Sequence, residues 1–129
     1  MSVALNHTIV NVRDKRTSAE FFTELFGLPQ ARPFGSYFLS VELDNGVTLD
    51  FCDADYEVEK QHYAFLVSDP EFDQIFDRIR TRRLDYWADP RKSEKGRINR
   101  HDGGRGVYFE EPGGHFLEII TVPYGGWKK

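Results

Sequence analysis

The sequence predicts an α+β fold in which two βαβββ modules form a curved mixed sheet. Three observations lead there. Two short apolar runs, NHTIVNVRD at 6–14 and QHYAFLVSD at 61–69, each contain a histidine followed seven positions later by an aspartate. Each run is followed by a stretch with apolar residues at helical spacing. Fixed-offset similarity extends further: an offset of 55 pairs His7 with His62, Val12 with Val67 and Phe21 with Phe76, and an offset of 68 pairs Gly46 with Gly114, Leu49 with Leu117 and Asp50 with Glu118. Self-similarity of this kind signals repeated structural units. The two offsets differ by 13 residues, which fit in the polar stretch RKSEKGRINRHDGGRG (91–106) of the second half.

The elements follow in order. Alternation and β-branched residues from Leu5 to Val12 and from His62 to Val67 predict strands that Asp14 and Asp69 stop. In TSAEFFTELFGL, Thr17 or Ser18 offers an N-cap, Phe21, Phe22, Leu25 and Phe26 make an apolar face, and Gly27 terminates the helix. Asp69-Pro70 opens the counterpart, with Phe72, Ile75, Phe76 and Ile79 on one face. Three strands follow each helix: near 31–32, 37–43 and 47–52 in the first half, and near 86–88, 106–109 and 115–122 in the second. Turns at Asp44-Asn45-Gly46 and at Glu111-Pro112-Gly113-Gly114 join the last two strands of each half.

Composition sets outer bounds. A chain of 129 residues, 40% hydrophobic and 15% aromatic, is long enough to bury a core. Its net charge of −4 gives no general attraction to nucleic acid or to an anionic membrane. A single cysteine, Cys52, excludes an internal disulfide, and no apolar run has the length of a membrane span or the pattern of a signal peptide. A cytoplasmic protein is the expectation.

Strand parity then selects candidate site residues. Residues two apart in a strand share a face, so His7 lies opposite in facing to Thr8, Val10 and Val12, which serve the helix side. Asp50 and Glu118 are set apart in the same way from Leu49 and Phe51 and from Leu117 and Ile119. Each half thus offers one histidine and one carboxylate from the face turned away from its helix. Four such groups, His7, Asp50, His62 and Glu118, form a donor set for a borderline divalent ion: Fe, Mn, Ni, Co or Zn. Recurrence of the pair at the repeat offset is what raises a metal site above isolated strand histidines. Tyr108 shares parity with Gly106 and reads either as a hydroxyl aimed into a cavity or as an aromatic wall. Cys52 reads as a small hydrophobe and His115 as structural. His101 and the basic residues Arg91, Lys92, Arg97, Arg100 and Arg105 lie in a charged loop, which offers an alternative role in holding an anion.

The segments LNHTIVNVRD, SAEFFTELFGLP, VTLDF, QHYAFLVSD and GVYFEEPGGHFLEII resemble those of the vicinal oxygen chelate superfamily. That group includes glyoxalase I, extradiol dioxygenases, fosfomycin-resistance thiol transferases and bleomycin-binding proteins. The resemblance implies one glyoxalase-like domain over 1–129, with modules of roughly 1–55 and 60–124. It implies His7, His62 and Glu118 as metal ligands, with Asp50 standing where a fourth ligand, often glutamate, is found. Asp50 is one methylene shorter and reaches less far. The implied activity is that of a divalent-metal enzyme chelating adjacent oxygens of a small substrate, with Glu118 or Asp50 as base and Tyr108 assisting. A lyase or isomerase is favoured. The alternatives are a single-domain ring-cleaving dioxygenase and a drug-binding resistance protein of bleomycin or fosfomycin type. Relatives of this length also imply a homodimer with shared active sites, no nucleic-acid partner and no membrane partner.

Overall fold

The structure, a computed structural model, describes residues 2–126. The chain divides into two compact units, the first ending at Glu59 and the second beginning at Lys60. Each is a βαβββ module with its own four-stranded mixed sheet.

In the first unit, β1 (His7–Val12) leads into α1 (Lys15–Phe26), followed by β2 (Arg32–Phe34), β3 (Phe38–Glu42) and β4 (Thr48–Asp53). The sheet order is β1-β4-β3-β2, with β1 and β4 parallel and the other pairs antiparallel. Val10 and Val12 are buried, whereas Ile9, on the opposite face of the strand, is half exposed, as the two-residue period requires. Helix α1 begins earlier than the Thr17 or Ser18 cap predicts. Asp14 ends the strand and also caps the helix, its side chain accepting from the backbone N–H groups of Arg16 and Thr17, so Ser18 lies inside the helix and is buried. The predicted stop is met: Gly27 adopts φ 67°, a left-handed conformation that glycine takes without penalty. Phe21, Phe22 and Leu25 are buried, and Phe22 meets Phe51 of β4 at a ring separation of 5.1 Å. Strand β2 runs later than the predicted 31–32 and passes through Pro33. Proline is tolerated there because β2 is an edge strand.

The second unit repeats the plan with β5 (His62–Leu66), α2 (Asp69–Thr81), β6 (Tyr86–Trp87), β7 (Gly106–Glu110) and β8 (Phe116–Ile120), in sheet order β5-β8-β7-β6. Ser68, ahead of Asp69-Pro70, is the N-cap. Its hydroxyl accepts from Glu71 N–H while the Glu71 carboxylate accepts from Ser68 N–H, an arrangement that contributes about 1 kcal/mol. Those hydrogen bonds hold the Glu71 carboxyl below its ordinary pKa. Phe72, Ile75 and Ile79 are buried as the helical period predicts. The extra chain before β7 is not loose: the Asp89 carboxylate accepts from the Ser93 and Glu94 N–H groups, and the Asn99 side chain donates to Ala88 O. Arg105 pairs with Asp69 and Asp73 of α2. Lys92 pairs with Glu110, its ammonium lying over the Trp87 ring. Two of the five cations suggested for an anion thus serve the loop's own architecture.

Both units share one register. His7 pairs with Thr48 and Ile9 with Asp50, and in the second unit His62 pairs with Phe116 and Ala64 with Glu118. The third strand follows suit, Ser40 opposite Asp50 and Tyr108 opposite Glu118. Among the described residues, no helix is long and apolar enough to cross a membrane.

Candidate metal centre

Glu118 occupies the middle of β8, flanked by β5 and β7, and is fully buried. A carboxylate so placed needs partners. His62 supplies one, its Nε2 lying 3.1 Å from Oε1. Oε2 accepts from the hydroxyl of Tyr124, which also lies 2.9 Å from the hydroxyl of Tyr108. Burial pushes the Glu118 carboxyl above its ordinary pKa, opposed in part by hydrogen bonding from Tyr108 and by His62 and His101. The Tyr108 phenol is raised as well, first by burial and then by the negative charge of Glu118.

The imidazole of His62 has a defined orientation. Its Nδ1 lies 3.0 Å from the carbonyl oxygen of Phe116, which can only accept, so Nδ1 carries a proton. In the neutral ring Nε2 then presents a lone pair to a carboxylate oxygen. Two acceptors this close need a cation: either a proton on the pair or a metal ion between them. A nitrogen fixed by a carbonyl behind it and an oxygen held by a hydroxyl therefore fit a borderline divalent ion.

Tyr108 combines the two roles between which the sequence left a choice. Its ring stacks near His62 at 5.8 Å and near Phe116 at 5.4 Å, while its hydroxyl joins the group at Glu118.

The first unit is arranged differently. Asp50 is buried in the middle of β4, and its Oδ1 accepts from Ser40 Oγ at 2.6 Å. His7 is exposed on β1, with Nδ1 donating to Asn6 Oδ1 at 2.7 Å. The two share a sheet face but take different partners. Among the described residues, no group of three or more His, Cys, Asp or Glu side chains is placed to hold a metal ion, so the structure brings together His62, Glu118 and Tyr108 and leaves His7 and Asp50 with local partners. Cys52 is half-buried, with Sγ 3.6 Å from Asp53 O. His115 is buried, and its Nδ1 accepts from Gln61 N–H.

Tyr124 is the residue that sequence reasoning missed. It lies beyond the last strand, where no periodicity points to it. The repeat does: the offset of 68 that pairs Asp50 with Glu118 also pairs Tyr56 with Tyr124.

A family model described as the Glyoxalase/Bleomycin resistance protein/Dioxygenase superfamily matches residues 4–119. The chain belongs to that superfamily. Among superfamily relatives, a glutathione transferase FosA of Serratia marcescens is 31% identical over 126 residues, covering 92% of this chain and 81% of the relative. Two solved structures are more similar. Oxidase ChaP-H1 is 55% identical with a TM-score of 0.94, covering 97% of this chain and all of the other. Oxidase ChaP-H2 is 53% identical with a TM-score of 0.94, covering 98% of each chain. The superfamily takes in divalent-metal enzymes that act on small molecules, in keeping with the donor set built by β5 and β8.

Proposed function

We propose that this chain is a divalent-metal-dependent oxidase that engages a small substrate through two adjacent oxygens and passes its electrons to dioxygen. The observation that carries this reading is the His62–Glu118 pair, found on a chain 55% identical over nearly its whole length to a protein named as an oxidase. It takes precedence over the lyase or isomerase that the resemblance favours. His62 and Glu118 would hold the ion, with His7 as a further histidine donor. A bound Fe, Mn, Co, Ni or Zn ion supplies Lewis acidity toward substrate oxygens, and a redox-active one supplies access to dioxygen. Tyr108 orients a substrate oxygen. Asp50, held by Ser40, serves as fourth ligand or as proton acceptor. Each unit carries only one histidine and one carboxylate at matched register, so a full ligand set draws on two units. We take the working form to be a homodimer with shared sites.

A second reading, a fosfomycin-type thiol transferase, is supported by the 31% identity with FosA. The test is an oxygen electrode. Protein purified without chelator is expected to consume dioxygen with dihydroxylated aromatic substrates, to stop after EDTA and to resume when Fe²⁺ or Mn²⁺ is returned. Thiol addition to fosfomycin or hemithioacetal isomerisation, with no oxygen uptake, would sink the oxidase reading.

A further inference from the structure

We propose that Tyr124 is a positioning residue that holds Glu118 to one free oxygen, and that a hydrogen bond from Gly125 to Asp102 latches the segment carrying it. The proposal rests on the reading of Glu118 as a ligand. A carboxylate offers two oxygens, and here they have different occupations. Oε1 faces His62 Nε2, whereas Oε2 receives the Tyr124 hydroxyl. Tyr124 donates to Oε2, and the Tyr108 hydroxyl, which hydrogen-bonds toward Glu118 as well, lies 2.9 Å from the Tyr124 oxygen, so a chain of hydroxyls lines the carboxylate.

Burial does not hold Tyr124 in place, for it is 44% exposed. Its backbone does. The 3₁₀ turn Tyr124–Gly126 docks on the turn His101–Gly103: Gly125 N–H donates to Asp102 Oδ2 at 3.0 Å, and the His101 ring meets Tyr124 edge-on at 6.4 Å. Both sides of the latch are left-handed, Asp102 at φ 54° and Gly125 at φ 76°. Glycine takes that conformation freely, and aspartate is among the few other residues that tolerate it. The segment from the inserted stretch therefore has a task beyond spanning two strands. It fixes the hydroxyl that occupies Oε2 of a buried carboxylate. With Oε2 occupied, Glu118 would offer an ion Oε1 alone.

Cobalt reports this without turnover. The chelator-treated full chain is titrated with Co²⁺, and the visible absorption per bound ion is read, since it weakens as coordination number rises. For Tyr124→Phe, with Oε2 released for a second bond, the absorption per ion is expected to fall and the dissociation constant to rise about tenfold. Asp102→Gly, which removes the latch while accepting the left-handed backbone, is expected to change the spectrum in the same direction. Tyr37→Phe, at an exposed tyrosine of the first unit, is the control and stays as wild type. Unchanged spectra and affinity in both Tyr124→Phe and Asp102→Gly would overturn the proposal. Absence of any Co²⁺ signal in the wild type, or a signal indifferent to Glu118→Gln, would instead remove the ligand reading on which it stands.

Discussion

Glu118→Ala and His62→Ala are expected to abolish metal-dependent activity and to erase the thermal response to Mn²⁺, Fe²⁺, Co²⁺, Ni²⁺ and Zn²⁺. An ion at one hundred times its dissociation constant stabilises the wild type by about 2.7 kcal/mol, and a melting scan with and without EDTA resolves that shift. Either variant breaks the pair of donors that already meet, at 3.1 Å, and leaves an incomplete ligand set. Asp50→Ala should weaken the response less, because Asp50 is engaged by Ser40; a loss equal to that of Glu118→Ala would make it a full ligand. The wild-type response also has a pH sign. Burial raises the Glu118 carboxyl, so the metal-free folded chain holds that proton more tightly than the unfolded chain. This contribution is fully present below the unfolded carboxyl pKa and is lost as pH rises through the folded value. Since an ion replaces the proton, stabilisation by metal should grow over the same interval. Mixing His7→Ala with Glu118→Ala tests the shared site. Half of randomly reassembled dimers are mixed and one of their two sites is intact, so activity should return to about a quarter of wild type. No recovery after confirmed subunit exchange would rule out sites built from two chains.

Phe51→Ala should produce the largest loss of stability, about 3–5 kcal/mol. Phe51 is fully buried on β4, beside Asp50 in sequence but on the opposite sheet face, with its ring against Phe22 of α1. Truncation leaves a void between helix and sheet that rigid neighbours fill only in part. A loss of that size is a large share of the roughly 5–15 kcal/mol that a domain commands, so urea denaturation should show a much earlier midpoint. Phe34→Ala, at a side chain 60% exposed, should stay within about 0.5 kcal/mol of wild type. A Phe51→Ala loss below 1 kcal/mol would mean that α1 does not depend on this contact.

The repeat made the register of both sheets legible. A slip of one residue would turn His7 or Glu118 to the helix side, and the offsets allow no such slip. Helix α2 was legible in its apolar face, but its cap lay one residue ahead of the expected start, at Ser68. The start of α1 was missed because Asp14 serves two elements at once: it ends a strand through its backbone and starts a helix through its side chain. The His62–Glu118 pairing followed from strand parity. The hydroxyl chain did not, since Tyr124 reaches Glu118 through a turn docked on the inserted stretch, a contact that neither the two-residue nor the helical period encodes.

Glu118 is set between Leu117 and Ile119, and all three are fully buried, so the carboxylate shares its backbone with the core. Any drift of that strand to suit a different substrate would disturb packing on its other side. New chemistry in such a scaffold is therefore acquired at the rim, in the stretch between β6 and β7 and the Tyr124–Gly126 turn, where a substitution changes what surrounds the carboxylate while the ligand strand stays as it is. One frame can then pass among unlike reactions over evolutionary time without first becoming unstable.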